Sequence, residues 1–531
     1  MILRAQARIA LFALLAAGLW LALKPTLGDR RLTFLPIKLA EYIDFMDFWF
    51  NLIAFALLGL LAWVAFGSSV NVVRRSCVII AAITTINVFL EMMQLSIPGR
   101  TMDGADVWAG LLGCVAGIVG GQMLTRRPLQ KECVGTAPRV LFLDQTGHLG
   151  GAELMLLDIV AARPSDSEVI LFEDGDFRHA LERAGVKTVV FAMGEEAASV
   201  DKQAGLNRIL RSIPGLLGLV LQIKKSAWAF DVVYANTAKA LIVGGPAAWL
   251  AGRPLVFHLH DIVAEGHFSP LNRRLLILAA NFCADAVIAN SEATKAAFIA
   301  SGGKARFCSV IPNGFRIQDI QSTHELLAAK RLDLGVPNNA CLILMAGRLA
   351  PWKGQHVLLA ALKSVPHTHV VLLGDALFTA EDREYAKGLH RQAEAAELKG
   401  RVHFVGFQSE TRDYFEMSDV VVHASVSPEP FGRVIVEGML AGKTVIATRA
   451  GGAAEILQHE KTGLLVTPGD VQELANALCR VREDSEFTRE MGQQAKQVAR
   501  TTYCLGTVQK QIEAVITKAA NRRAGEAECV S

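Results

Sequence analysis

Residues Ser427–Thr448 read S-P-E-P-F-G-R-V-I-V-E-G-M-L-A-G-K-T-V-I-A-T, and their reading decides the fold. A Pro-bracketed acidic turn (Pro428, Glu429, Pro430) leads through Phe431 and Gly432 into an apolar run that carries Glu437 and stops at Gly442. Val445-Ile446-Ala447 then reads as a short buried strand, and Asp419–His423, ahead of the turn, reads as another. Strand, loop, helix, strand is the unit of an α/β domain with a parallel sheet. A loop feeding a helix N-terminus presents free backbone N–H groups and the positive end of a dipole, which suits a phosphate. Two carboxylates at this spacing suit the hydroxyls of a sugar on each side of it. The expectation is a nucleotide-sugar site.

The same unit recurs upstream. Arg139–Asp144 is an apolar strand, Gly147-His148-Leu149-Gly150-Gly151 a glycine loop, and Glu153–Ala162 has helical spacing. The loop lacks the G-x-G-x-x-G pattern and gives no support for NAD. Further strands are expected at 168–172, 188–191, 231–235, 255–258, 285–289 and 308–311, then at 341–346, 370–373 and 402–405. Several strand ends carry polar residues: Asn236-Thr237, His258 to Asp261, Asn290-Ser291 and Pro312-Asn313-Gly314. Four such ends along one sheet edge predict a polar cleft. His258 and His260 are expected to point to opposite sides, so that one of them reaches it. Gly347-Arg348 ends a strand and Lys353-Gly354 opens a helix; two fixed cations beside a glycine suit a pyrophosphate. Asp174-Gly175-Asp176 reads as a βα turn in preference to a metal-binding triplet. These units divide into a domain over 138–325, a second over 335–500, and a last segment over 501–531 made of a crossover helix (508–519) and, after Asn521, a loose polar tail.

A chain of 531 residues has room for several domains. A net charge of +3 gives no reason to expect a nucleic-acid partner. Hydrophobic residues reach 52% and mean hydropathy is +0.33, high for a purely soluble enzyme, and the excess lies at the N-terminus. Ile9–Leu23, Phe48–Phe66, Cys77–Leu95 and Val107–Leu124 each approach or reach the ~20 residues that cross a bilayer. They predict a four-helix transmembrane domain over 1–130. Seven cations (Arg4, Arg8, Arg74, Arg75, Arg126, Arg127, Lys131) against five (Lys24, Arg30, Arg31, Lys38, Arg100) favour a cytosolic C-terminal region. Glu91, Gln94, Arg100, Asp103 and Asp106 are costly in a membrane. They read either as a charge-paired cluster that joins the helices or as a pocket for a polar lipid headgroup. The nine cysteines show no paired spacing and read as thiols of a reducing compartment.

Two resemblances attach to these residues. Glu91 and Gln94, followed by Pro98, Gly99, Arg100, Asp103, Asp106 and Gly110, resemble the VanZ-like family over residues 40–122, which implies a cell-envelope location. Gly150 to Glu153, Pro312-Asn313-Gly314, Gly347-Arg348 with Lys353-Gly354, the Glu429/Glu437 pair around Pro430-Phe431-Gly432, and Gly451-Gly452 with Glu455 resemble family 4 glycosyltransferases. That resemblance covers roughly 138–520 and implies a GT-B fold, two facing Rossmann-like domains with the nucleotide-sugar between them. It also implies retention of anomeric configuration, with no cofactor and no catalytic metal. It assigns Arg348 and Lys353 to the diphosphate, Glu429 to the donor sugar and Glu437 to the ribose. His258 or His260 matches the cleft histidine, and Gly150, Gly151, Gly347, Asn313, Phe431 and Gly432 fall on the donor side. Lys443-Thr444 departs from the family, which often has Pro there. The combined expectation is a multi-pass protein of a bacterial inner membrane whose cytosolic part transfers sugar to an envelope glycan or lipid-linked acceptor, with membrane lipid as a further partner. The alternative is an envelope lipid-binding protein whose transferase part is an accessory nucleotide-sugar module.

Overall fold

Buried runs rich in Val, Ile and Leu become two parallel sheets, as expected of strands covered by helices on both faces. The computed structural model describes residues 137–193, 206–264, 267–317, 322–337, 339–376 and 379–528, with 54–59, 62, 79–85, 88 and 104–125 nearer the N-terminus. The chain divides into two units, Met1–Pro128 and Leu129–Ser531.

In the larger unit β1 (Val140–Asp144), β2 (Ser167–Leu171), β3 (Lys187–Val190), β4 (Val232–Ala235), β5 (Leu255–Leu259), β6 (Ala286–Ala289) and β7 (Cys308–Val310) form the first sheet. Its order is β3-β2-β1-β4-β5-β6-β7. The second sheet takes β8 (Cys341–Ala346), β9 (Thr368–Leu373), β10 (Val402–Gly406), β11 (Val420–His423), β12 (Thr444–Thr448) and β13 (Leu464–Val466) in the order β10-β9-β8-β11-β12-β13. Both orders reverse direction once, between β1 and β4 and between β8 and β11. Ligands bind outside the carboxyl ends of the strands at such reversals. The loops after β1 and β4 carry Gly147–Gly151 and Asn236-Thr237; those after β8 and β11 carry Gly347–Lys353 and Ser425–Glu429.

Each sheet is flanked by two apolar clusters. The chain's last helix, Leu505–Glu528, follows the second domain and packs against β4 and β5 of the first sheet, with Val508, Ile512 and Ile516 in one cluster with Tyr234 and Val256. A spacing of four puts these side chains on one stripe, each worth about 1.5–3 kcal/mol of burial. The helix runs nine residues beyond Ala519, where the sequence reading ended it before a loose tail. Thr444, at the family's frequent Pro, is buried and donates its hydroxyl to the Thr488 carbonyl at 2.5 Å.

In the smaller unit a helix spans Gly104–Thr125, and Leu58, Ile79, Ile83, Cys114 and Ile118 form a small core. Gly59 lies so close to the Cys114 carbonyl that a Cβ there would stand 2.4 Å from its oxygen. Trp108, Leu112, Val115 and Val119, at i, i+4, i+7 and i+11, are exposed on one helix face. Among the described residues no helix is long and apolar enough to cross a membrane. The expected span 9–23 lies outside the described residues, and 48–66 and 77–95 fall only partly within them. Glu91, Gln94, Arg100 and Asp103 lie outside them too, and Asp106 is in the first turn of the Gly104–Thr125 helix.

Candidate active site

In the second domain the site is assembled by the loops after β8 and β11. After β8 the chain makes a single 3-10 turn, Pro351–Lys353, before the helix Gln355–Leu362. Gly354 joins them at φ 79°, and a Cβ there would lie 2.0 Å from the Ala424 carbonyl oxygen. Glycine is therefore what lets the Lys353 turn press against the loop after β11, and Val426 N–H donates to the Trp352 carbonyl at 2.8 Å. Arg348 and Lys353 both approach the Trp352 ring, 5.6 and 4.4 Å from its centroid.

Lys353 Nζ lies 2.5 Å from Glu429 Oε1, with both side chains largely buried. Glu429 Oε2 accepts from Ser425 Oγ at 2.9 Å and from His423 Nε2. Burial by itself would raise the Glu429 carboxyl, but the neighbouring Lys353 and His423 hold it well below the usual carboxylate range. Glu429 is thus a fixed anion.

The helix that follows is Arg433–Leu440, entered through Gly432 at φ 104°. Glu437 is its fifth residue, just over one turn in. Its Oε1 lies 3.6 Å from Arg433 Nε, and burial raises its pKa while Arg433 lowers it. Arg433 Nη1 is buried without a hydrogen-bond partner. The guanidinium packs 4.5 Å from the Phe315 ring centroid, and a Cβ on Gly151 would lie 3.2 Å from Arg433 Cδ.

The first domain contributes a polar relay. Asp144, fully buried at the end of β1, accepts from Asn236 Nδ2 at 2.7 Å and from Thr146 N–H at 3.1 Å. With its amide nitrogen committed to the carboxylate, Asn236 turns Oδ1 toward His260 Nε2, 3.1 Å away. An amide oxygen only accepts, so His260 carries its proton on Nε2 and leaves Nδ1 bare. Burial, and to a lesser degree Arg433, lowers the His260 pKa to about 4, the nearby Asp261 opposing them. Glu153, in the first turn of the helix Gly151–Ala161, stands near Asp144, and burial raises both carboxyls.

His258 and His260 do not point to opposite sides. Residues two apart on a strand share a face, and the two rings lie 3.9 Å apart at 39°. They differ in depth. His258 is buried within β5, with Nδ1 2.7 Å from the Tyr234 hydroxyl, whereas His260 follows the strand and lines the cleft.

The halves enclose a cleft of about 1030 Å³. Gly151, Glu153, Asn236, His260 and Asn313 line it from one side, and Arg348, Lys353, Glu429, Phe431, Gly432 and Arg433 from the other. Gly150, His258, Gly347 and Glu437 lie outside that lining. Across the domain boundary, the Glu455 carboxylate accepts from the backbone N–H groups of Glu292 and Ala293, at 2.8 and 2.6 Å, at the start of the helix Glu292–Ala300. Thr294 Oγ1 donates to the Pro430 carbonyl at 3.3 Å. His423, Ser425 and Arg433 were not among the residues singled out in the sequence. The Asp174-Gly175-Asp176 triplet is a turn in which Asp174 accepts from Gly175 N–H and Arg178. Among the described residues no group of three or more His, Cys, Asp or Glu is placed to hold a metal ion.

Comparison with known proteins agrees with this geometry. Residues 175–319 match Glycosyltransferase Family 4, 329–498 match Glycosyl transferases group 1, and 10–124 match VanZ/LLP1. The crystal structure of Anabaena Alr3699/HepE in complex with UDP and glucose is 40% identical, with a TM-score of 0.65 over 72% of this chain and 99% of that one. The lipopolysaccharide core biosynthesis glycosyltransferase LpsE of Rhizobium meliloti is 33% identical over 32% of this chain. The D-inositol 3-phosphate glycosyltransferase of Streptomyces avermitilis is 25% identical over 72% of this chain and 86% of its own length. The match to LpsE spans about half of that protein, 48% of its length. The chain belongs to the group 1, family 4 glycosyltransferases, with a VanZ/LLP1 segment ahead of its two transferase domains.

Proposed function

We propose that the chain is a membrane-tethered retaining glycosyltransferase that moves a sugar from a UDP-linked donor to an envelope glycan or lipid-linked acceptor on the cytosolic side of a bacterial inner membrane. The observation that carries this reading is the Lys353–Glu429–His423 cluster, set beside Arg348 at one strand-order reversal and facing His260 at the other. The UDP and glucose in the HepE structure support the donor. The VanZ/LLP1 match and the exposed apolar stripe Trp108, Leu112, Val115 and Val119 support the tether.

Cleavage of the bond between the anomeric carbon and the diphosphate puts negative charge on the leaving oxygen. Arg348, Lys353 and the N-terminus of the helix Arg433–Leu440 meet that charge. An ammonium has three donors, so Lys353 can keep its bond to Glu429 and still reach a phosphate oxygen. Glu429, ionised throughout the working range, holds sugar hydroxyls so that the electron-poor anomeric carbon faces the first domain. There neutral His260, with Nδ1 bare, accepts from a sugar or acceptor hydroxyl. Glu437 takes the ribose hydroxyls, and Arg433 adds a third cation. No metal is part of this reading.

The test is turnover of UDP-glucose by the full chain in lipid, read as UDP release, with the product's anomeric configuration read by NMR. Release of UDP with an α-linked product supports the reading. An inverted product removes the retaining assignment, and a protein that binds UDP without turnover favours the accessory-module alternative.

A further inference from the structure

The cleft has two ends of different chemistry. Its charged end is accounted for by the donor. At the other end Met193, Leu216, Ile242, Phe268, Leu275 and Leu276 line it, and none carries a polar group that could bind a sugar or a phosphate. The two ends are continuous. Asn272, which also lines the cleft, precedes Leu275 and Leu276 by three and four residues on the helix Pro270–Cys283, so all three share a face. His260 and Asp261 directly follow Leu259, which lines the apolar part.

This arm is not a sealed packing void. Phe268 and Leu276 are buried, but Met193, Leu216 and Ile242 are half-buried and Leu275 is 37% exposed, so the arm opens at a rim. Apolar side chains continue outside it. Leu217 and Leu221 follow Leu216 along the helix Leu206–Ala227 and are more than half exposed, and Leu278 and Phe282 extend the exposed face begun by Leu275. A nucleotide-sugar has no group to place here, and water finds no partners on such a lining.

We infer that this arm receives an aliphatic chain carried by the acceptor close to its reacting hydroxyl, with the rest of the chain leaving over the exposed leucines at the rim. The inference rests on the glycosyltransferase reading above and narrows its acceptor to an amphiphile. A lining of Leu, Ile and Phe with one adaptable Met suits an alkyl chain. Burying the chain supplies affinity in proportion to its length, while Asn272, Asp261 and His260 fix the hydroxyl head.

The test is calorimetric titration of the UDP-saturated full chain with hexyl, heptyl and octyl β-glucosides below their micellar concentrations. The dissociation constant should fall about fourfold per added methylene until the arm is full. Ile242→Gln should flatten that dependence. Leu216→Gln, at a second half-buried rim position, should do the same, and unchanged UDP affinity in both variants reports an intact fold. A dissociation constant independent of tail length, or an unchanged dependence in both variants, overturns the inference, the latter outcome placing the alkyl chain elsewhere on the protein. Failure of the wild-type protein to bind UDP is a separate result, which refutes the donor reading itself.

Discussion

Lys353→Met keeps the four-atom stem of the side chain and removes its ammonium, with the charge and three donors. Two consequences follow from the geometry. The leaving diphosphate loses one fixed donor, which costs about 100- to 1000-fold in kcat, or about 2.7–4 kcal/mol. Glu429 loses one partner, 2.5 Å away, but keeps Ser425 and His423. The buried carboxylate is therefore not orphaned, and the cost to stability is that of one hydrogen bond to a charged group, about 1.5–3 kcal/mol. The sign of the pH effect is fixed by the depressed Glu429 pKa. A depressed carboxyl contributes stability that is present above its unfolded pKa and lost as pH falls through the folded value. Removing Lys353 raises that folded value, so acid unfolding of the variant begins at higher pH. Steady-state UDP release gives kcat, and thermal melts between pH 3 and 7 give stability. A variant within tenfold of wild-type kcat, at unchanged UDP occupancy, would refute the role given to Lys353.

Four further outcomes are expected. Gly354→Ala forces a Cβ toward the Ala424 carbonyl at a φ of 79° and should lower stability by more than the about 1 kcal/mol of an ordinary helix glycine, with loss of turnover, seen in denaturant melts. Glu455→Gln should weaken the two backbone bonds that span the domains and raise donor KM about three- to tenfold at nearly constant melting temperature. Glu153→Gln tests the carboxyl that burial and Asp144 push up to about 8. With the folded pKa raised, its contribution is full below the unfolded value and lost as pH rises through about 8, so wild-type stability should decline from pH 5 to 8 more steeply than that of the variant. Finally, excess chelator should leave UDP release unchanged; a requirement for a divalent cation would mean that Arg348, Lys353 and Arg433 are not sufficient counter-charge.

The parallel strands were legible because each is a short apolar run that ends in glycine or a polar residue, and β1, β5, β9 and β12 are buried at every position. Harder to read was what depends on separate strands meeting. Asp144 and Asn236 are 92 residues apart, and no local spacing announces their bond. His423 reads as one more residue of a buried strand until Glu429 folds back onto it. The histidine pair was misassigned because the expectation of opposite faces ignored the two-residue period of a strand; the structure separates the rings by depth, not by face. The long helix Leu206–Ala227 escaped notice for a different reason. It carries Pro214-Gly215, a pair that by itself signals a break in a helix.

The central claim is that the two strand-order reversals enclose a nucleotide-sugar site. Calorimetric titration of the full chain with UDP tests it most directly. The account predicts saturable binding at one site per chain, weakened at least tenfold in Lys353→Met and in Arg348→Met. Absence of UDP binding, or binding by both variants as strong as that of the wild-type protein, would contradict it.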